Sequence, residues 1–326
     1  MRSFCRIVDE IGAQRVQMAR TRKKNRKMSR GGRIGLTAFA ALLLALAAVM
    51  GGAALNATLV RVRRAEVVLT NLPDAFDGTT ILYASDIDLC GINDAQKSGA
   101  LFDELRSLAP DVLILGGDYT SRTLLDRLNR PEERGPVSDV QAAERADFFH
   151  YIASFDAPLG KYAVAAPEDG DARELAQQLD ACGIRPITHD RVSINIGGDV
   201  LWLVGVGEAS ADLSAVGSAF SRNDCVVAVV YSPSVLPVLL TGEAKDSGPW
   251  TDLILAGHTH GGQIQLLGRS ALPLDPVEQR YRSGWTIENG TPVLTTEGVG
   301  CEGANLRLGT APEVWLITLR TDGVRE

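Results

Sequence analysis

An uncharged apolar run of 22 residues, from Ile34 to Leu55, is the feature that most constrains what this chain can fold into. A helix rises about 1.5 Å per residue, so a run of this length matches the hydrocarbon core of a bilayer. The run has no polar face, which a helix packed on a soluble core would present to water. It therefore predicts one transmembrane helix over residues 34–55.

Basic residues are concentrated on one side of this run. Residues 1–55 contain 11 Lys/Arg and 2 Asp/Glu, and the basic residues are densest in the segment 20–27. By the positive-inside rule, the basic tail over residues 1–33 lies in the cytoplasm, and the domain lies outside the cell membrane. A cleaved signal peptide is the alternative, favoured by small residues near Ala53, although the preceding tail is long for such a signal.

The remainder of the chain is acidic, with 22 Lys/Arg against 38 Asp/Glu. A nucleic-acid-binding domain needs a positive face, so this charge argues against nucleic acid as a partner. The 326 residues allow one large α/β domain, and the low aromatic content of 6% suits that class better than an all-β fold. We predict a connector over residues 56–71 and a single domain over residues 72–326.

Two apolar, β-prone runs with a helix between them open this domain. Residues 79–84 and 112–115 fit buried strands, and leucines at helical spacing from Leu101 onward fit a helix that Pro110 ends. Such a βαβ unit predicts a parallel sheet with helices on its face. Open α/β sheets place their ligands at the carboxyl ends of the strands.

The same patterns predict elements along the rest of the chain. Gly197 and Gly198 lie between two alternating apolar runs, which is typical of a tight β-hairpin. The predicted elements are helices over 142–154 and 171–181, strands over 161–165, 192–196, 200–206, 226–230 and 253–255, two β-like runs within 292–319, and a surface loop or short helix over 121–140.

The segment Gly257–Gln263 contains two of the four histidines of the chain, His258 and His260. Residues two apart in an extended segment point the same way, so both imidazoles can face one ion. The surrounding glycines permit turns and close approach by a substrate. The alternative is a pair of solvated loop histidines.

Aspartates follow the first two predicted strands. Asp86 and Asp88 come after the strand over 79–84, and Asp118 comes after the strand over 112–115. Carboxylates combined with imidazoles suit Mn, Fe, Zn or Mg. Asp86, Asp88, Asp118, His258 and His260 are therefore the predicted metal ligands.

The order of these motifs resembles the calcineurin-like metallophosphoesterase family, in particular its membrane-anchored bacterial phosphodiesterase branch. Gly257–Gln263 matches that family's motif unaltered, and Asp86 and Asp118 match the aspartates of its first two motifs. Residues 297–300 and 306–309 are similar to the branch's C-terminal signature. The resemblance implies two packed mixed β-sheets flanked by helices.

Three positions depart from the family pattern. Asp88 stands where the family has histidine, Pro167 and Glu168 where it has Asn-His, and Tyr231 where a lone histidine follows a strand. By the resemblance, one ion keeps four ligands, whereas the other keeps only Asp118 and His258. We therefore expect one divalent ion rather than two, with Glu168 and His258 as catalytic groups.

Two functions stay open on these residues. The first is a membrane-tethered, metal-dependent phosphoesterase or phosphodiesterase, a hydrolase acting on a small-molecule phosphoester or a lipid headgroup. The second is an inactive relative with the same fold that binds a ligand or protein. The unaltered Gly257–Gln263 motif favours the first, and the three departures favour the second.

Overall fold

The computed structural model describes residues 30–90, 93–122, 137–207, 216–270 and 273–323. Most of the expected loop over 121–140 lies outside the described residues. The chain divides into two compact units, Met1–Met50 and Gly51–Glu326. The second unit contains all the described strands.

Helices and strands alternate through much of this second unit. The α-helices among the described residues are α1 (Arg30–Asn56), α2 (Ala95–Leu105), α3 (Asp139–Ala153), α4 (Ala172–Ala181), α5 (Leu236–Leu239) and α6 (Pro276–Arg280). The strands are β1 (Arg61–Leu69), β2 (Thr80–Ala84), β3 (Val112–Leu115), β4 (Lys161–Ala163), β5 (Arg185–Pro186), β6 (Arg191–Ile196), β7 (Asp199–Val206), β8 (Cys225–Val230), β9 (Leu253–Ala256), β10 (Gln265–Leu266), β11 (Arg269–Ser270), β12 (Gly284–Glu288), β13 (Thr291–Thr295) and β14 (Glu313–Thr321).

The expected apolar helix is present as α1. Its 27 residues are long and apolar enough to cross a membrane, a property that a signal sequence near an N-terminus shares. The described helix extends a few residues beyond the predicted 34–55 at its N-terminal end and ends at Asn56.

Twelve of the described strands form two six-stranded mixed sheets, and β10 and β11 form a separate two-stranded sheet. The first has the order β1-β14-β2-β3-β4-β5, and the second has the order β12-β13-β9-β8-β7-β6. In the first sheet β2, β3 and β4 are parallel neighbours. In the second, β7, β8, β9 and β13 are parallel, and β6 and β7 form the predicted hairpin.

The main core lies between the two sheets, because alternate residues of each strand point to opposite faces. Ile81 and Tyr83 of β2 pack with Val227 of β8 and Leu255 of β9 in one buried cluster. Leu82, the residue between them, faces the opposite way into a second cluster. That cluster contains Phe102 of α2, Phe148 and Phe149 of α3, and Leu175 of α4.

This arrangement confirms the predicted fold class, two packed mixed sheets flanked by helices. One segment differs from the expectation, since residues 61–69 of the predicted connector form strand β1. Its pairing with β14 is parallel and runs the full length of the strand. The arginines of β1 are partly or fully exposed, so the strand lacks the continuous apolar run that marks β2 and β3.

Candidate metal centre

Asp86, Asp118 and His260 form a compact group at the carboxyl ends of the strands. Their ligand atoms all lie within 4.8 Å of one another, and all three residues are buried. Asp86 follows β2 and Asp118 follows β3, and these strands are parallel neighbours whose carboxyl ends meet. His260 follows β9 in the other sheet. The group therefore lies where the ends of the two sheets converge.

A direct hydrogen bond joins the two sheets here. The backbone N–H of His258 donates to Asp86 Oδ1 at 2.8 Å. Gly257 makes this approach possible, because a Cβ at that position would lie 2.0 Å from Ser85 Oγ and 2.9 Å from Asp86 Oδ2. Gly257 is thus required because the segment Gly257–Gln263 packs closely against the loop that carries Ser85 and Asp86.

All five predicted ligands have left-handed backbone conformations. The φ angles are 54° for Asp86, 50° for Asp88, 57° for Asp118, 73° for His258 and 50° for His260. Residues with a side chain rarely adopt this region, and such strain is concentrated at functional sites. The strained positions point to a site whose geometry is maintained by the surrounding fold.

Buried carboxylates give this group its electrostatic character. Asp86 Oδ2 and both carboxylate oxygens of Asp88 are buried, with no hydrogen-bond partner among the described residues. Burial raises the pKa of Asp86 to about 6. Burial and then the charges of Asp88, Asp169 and Asp86 raise the pKa of Asp118 well above its ordinary value. Clustered, unsatisfied carboxylate oxygens beside an imidazole fit a divalent cation.

Asp88 lies at the edge of the group. Its Oδ2 is 3.6 Å from His260 Nε2, and the residue is buried. Burial and then the charges of Asp86 and Glu302 raise the pKa of Asp88 well above its usual range. The geometry is compatible with Asp88 as a further ligand to an ion held by the other three.

His258, the fifth predicted ligand, makes different contacts. Its Nδ1 lies 2.6 Å from Tyr231 Oη, and its Nε2 lies 3.2 Å from Glu278 Oε1. Burial opposes the charged imidazole, but the hydrogen bond to Glu278 and the charges of Asp86 and Glu278 raise the pKa of His258 above its ordinary value. Both ring nitrogens are therefore engaged within the protein, and His258 would have to give up one contact to bind an ion.

Glu278 is the functional candidate that the sequence did not indicate. It lies on α6, where it also accepts hydrogen bonds from Ser232 and Ser234 at 3.2 and 3.0 Å. The hydrogen bond from His258 lowers the pKa of Glu278 to about 2. Its local sequence reads as a capping box with Asp275, which describes a helix start and gives no sign of a site.

Asp169 supports the centre without joining it. Its carboxylate accepts backbone hydrogen bonds from Asp118 at 3.1 Å, Tyr119 at 2.7 Å and Ala166 at 2.8 Å. These bonds hold the loop that carries Asp118. Asp171 caps α4 by accepting from Glu174 N at 2.8 Å.

Glu168 lies beside the centre on the short 3₁₀ turn Pro167–Asp169 and is exposed. Burial first, and then neighbouring charges that include Glu168, raise the pKa values of Tyr231 and Asp118. The structure therefore places Glu168 near Tyr231 and the buried carboxylates.

The side chain of Arg307 links the segment Gly257–Gln263, the histidine loop, to residues 297–300. The fully buried guanidinium donates to the carbonyl oxygens of His260 at 3.0 Å, Glu297 at 2.6 Å and Gly300 at 2.5 Å. Its Nη2 lies 3.3 Å from His260 Nδ1. A buried arginine with these partners fixes the loop that presents His260 to the aspartates.

Comparison with known proteins identifies the family. No protein-family model matches the chain. The chain is 30% identical to phosphodiesterase YaeI of Escherichia coli strain K12 over 214 residues, which cover 64% of this chain and 70% of the relative. It belongs to the calcineurin-like metallophosphoesterase family.

Other metallophosphoesterases show lower similarity. The Bacillus subtilis protein YkoQ is 24% identical over 72% of this chain and 81% of its own length. A bovine transmembrane protein with a metallophosphoesterase domain is 23% identical over 78% of this chain and 56% of its own length. A solved dimetal phosphatase from Danio rerio aligns with a TM-score of 0.36 at 11% identity, over 68% of this chain and 88% of that one.

The relatives confirm the metallophosphoesterase resemblance drawn from the motifs. Membership of the family implies a divalent metal and small-molecule phosphoester substrates. Transmembrane relatives and the apolar helix α1 indicate a membrane protein.

Proposed function

We propose that this protein is a membrane-tethered, divalent-metal-dependent phosphoesterase that works with a single ion. Asp86, Asp118 and His260 would hold the ion, with Asp88 beside them. The observation that carries the proposal is the buried group of carboxylate oxygens and imidazole within 4.8 Å, built on strained backbone. Mn, Fe, Zn and Mg all suit this ligand set.

The contacts around His258 support one ion rather than two. Both of its ring nitrogens are occupied by Tyr231 and Glu278. Burial and the charges of Asp118, Glu168 and Asp86 raise the pKa of Tyr231 far above its usual value, so it remains a neutral phenol. Pro167 has no side-chain group that could bind a metal. The second ion that the family pattern implies would find too few ligands here.

Different residues of the chain would hold the ion and transfer a proton during the reaction. When bound, a divalent ion supplies the positive charge that stabilises a phosphoester's developing negative charge and makes water more acidic. Asp86 and Asp118 would fix its place, because Asp86 N donates to Gly117 O at 2.9 Å and His258 N donates to Asp86 Oδ1 at 2.8 Å, which ties the two aspartate loops to each other and to the histidine loop. His258, oriented by Glu278, and the exposed Glu168 are the groups assigned to transfer a proton to the leaving oxygen.

The family and the apolar helix α1 support the proposed substrate class. The relative YaeI is named a phosphodiesterase, which supports a phosphodiester as substrate. The apolar helix supports attachment to the cell membrane, where a lipid-linked phosphate is within reach. The basic tail before α1 supports a cytoplasmic N-terminus and a domain outside the membrane.

Hydrolysis by the full-length chain in detergent tests this function. The substrates are bis(p-nitrophenyl) phosphate and p-nitrophenyl phosphate, each with and without added Mn²⁺ or Zn²⁺. The double variant His258→Ala/His260→Ala should lose all metal-dependent turnover, whereas His150→Ala, an exposed residue of α3, should keep it. Turnover retained by the double variant contradicts the proposal. Metal binding without turnover in the natural chain favours the alternative of an inactive, ligand-binding relative.

A further inference from the structure

The hairpin formed by β10 and β11 projects two leucines into solvent directly after the histidine loop. Gln265 pairs with Ser270 and Leu266 with Arg269, so the turn lies at Leu267 and Gly268. The exposed fractions of Leu266 and Leu267 are 68% and 97%. Leu267 is the most exposed large apolar residue in the described part of the chain.

The conformation of Leu267 makes this exposure more unusual. Its φ is 52° and that of Gly268 is 79°, so both turn residues are left-handed. Glycine or asparagine fits such a position, whereas a bulky side chain is disfavoured there. In water, leucine is therefore disfavoured at this tip by its backbone and by its hydration. Burial of the side chain in an apolar medium would remove the second cost.

The base of the hairpin is connected to the last turn of α1 through the segment 301–312. On one side, Gln265 N donates to Leu308 O at 2.7 Å, and Ile264 forms a parallel bridge with Leu308. On the other side, Arg307 N donates to Ala53 O at 3.0 Å, and Asn56 Nδ2 donates to Arg307 O at 3.1 Å. One short segment thus joins the hairpin to the end of the apolar helix.

Exposed basic and apolar residues lie just after α1 and on the hairpin. Leu59, 56% exposed, follows the end of α1. Arg61 is exposed and its N–H donates to Pro312 O at 2.8 Å, and Arg269 is exposed on the hairpin itself. These cations stand out because the chain after residue 55 has an excess of acidic residues. Leucines beside arginines are typical of a surface that lies in a bilayer interface.

We propose that the hairpin β10–β11 is a membrane-contact element. Leu266 and Leu267 enter the interfacial region of the bilayer near the end of α1, and Arg61 and Arg269 meet lipid phosphates. Gln265 Nε2 donates to Gly261 O at 2.6 Å, so the hairpin is fastened to the loop that carries His260. The metal centre is thereby held near the lipid surface, and a lipid-borne phosphate becomes the substrate that reaches it most directly.

Depth measurements on the full chain in vesicles of phosphatidylcholine and phosphatidylglycerol test the proposal. The inference rests on the proposed membrane attachment, but not on hydrolysis, so the readout is independent of activity. A nitroxide is attached at Leu267→Cys in a chain carrying Cys5→Ser and Cys90→Ser, since Cys182, Cys225 and Cys301 are buried.

Two reference positions calibrate the depth. Leu44→Cys reports the apolar helix. Ile287→Cys is a matched exposed residue, 75% exposed on β12, where it pairs with Pro292. That pair lies at the end of the sheet opposite to the loop after β9, because β13 and β9 are parallel. Leu266→Cys provides an independent second label on the hairpin.

Labels on the hairpin and at Leu44 should collide several-fold more often with oxygen than with a water-soluble nickel chelate. The label at Ile287 should collide more often with the nickel chelate. Hairpin labels that behave like Ile287 while Leu44 reports hydrocarbon would overturn this inference and leave the anchor intact. An aqueous Leu44 label would overturn the attachment and this inference together. Spin–spin broadening at Leu267 would assign the leucines to a second copy of the chain and also overturn it.

Discussion

Glu278 Oε1 lies 3.2 Å from His258 Nε2, so the imidazole expected to bind metal is oriented by a carboxylate from α6. Tyr231 Oη, 2.6 Å from the other ring nitrogen, completes a chain of three interacting side chains. Tyr231 and His258 stand at two positions to which the family resemblance assigns ligands of a second ion. The three residues should therefore affect turnover without affecting metal content.

Replacing Glu278→Gln should slow hydrolysis while the bound metal is retained. The amide cannot stabilise the charged imidazole as the carboxylate does, and proton transfer by a positioned side chain contributes about 100-fold or more to the rate, so part of this should be lost. Rates and metal content of the same preparation are compared with Glu288→Gln, a carboxylate that pairs with Arg280 at 2.7 Å. Loss of the metal from Glu278→Gln would show that His258 belongs to the metal site instead.

Asp169→Ala should destabilise the protein and weaken metal binding together. Three backbone N–H groups lose their charged acceptor, two of them on the loop of Asp118. The expected loss in free energy of unfolding is about 3 kcal/mol. Urea unfolding and metal titration are compared with Asp171→Ala, which should cost about 1 kcal/mol as a lost helix cap and leave metal affinity unchanged. Equal effects of the two changes would contradict the supporting role of Asp169.

Asp118→Asn should stabilise the metal-free protein while abolishing stabilisation by metal. Burial and the charges of Asp88, Asp169 and Asp86 disfavour an ionised Asp118, so an uncharged amide relieves this cost. A ligand at 100 times its Kd stabilises the natural chain by about 2.7 kcal/mol. Thermal unfolding with chelator and with Mn²⁺ separates the two effects. A variant that is less stable without metal would contradict the repulsion among these carboxylates.

Asp252 should give a pH-dependent stability that is unrelated to metal. Burial, opposed by hydrogen bonds from Val226 N and Asn71, raises its pKa from 3.8 to about 6. The folded state therefore binds more protons between these values, so the contribution of protonated Asp252 is complete below about pH 4 and is lost as pH rises through 6. Relative to Asp252→Asn, the natural chain should lose about 2 to 3 kcal/mol between pH 4 and 7. Parallel pH curves for the two chains would rule this out.

Apolar continuity explains which parts of the fold could be predicted from the sequence. Strands such as β8 and β9 are buried on both faces and read as unbroken apolar runs. Strand β1 lies at the edge of its sheet and its three arginines are exposed, so it resembles a connector until its parallel pairing with β14 is known. Strand β1 differs from β8 and β9 because its hydrogen bonds come from tertiary pairing with β14, which its local sequence does not show.

The candidate metal centre likewise contains residues that could be predicted from the sequence and residues that could not. Asp86, Asp118 and His260 could be predicted because each follows a recognisable strand, and the parallel order of the sheets brings the strand ends together. Glu278 and Arg307 could not, because their roles depend on where α6 and the segment 301–312 pack. The local sequence around Glu278 is that of an ordinary helix start, and the similarity of residues 306–309 to a family signature does not show where the Arg307 side chain packs.

Metal content tests the central claim, a single ion held by Asp86, Asp118 and His260, most directly. Elemental analysis would be applied to the full-length chain purified without chelators, beside the His260→Ala and His258→Ala variants. The account predicts one divalent ion per chain in the natural protein and in His258→Ala, and none in His260→Ala. Two ions per chain, or the loss of metal on removal of His258, would contradict it.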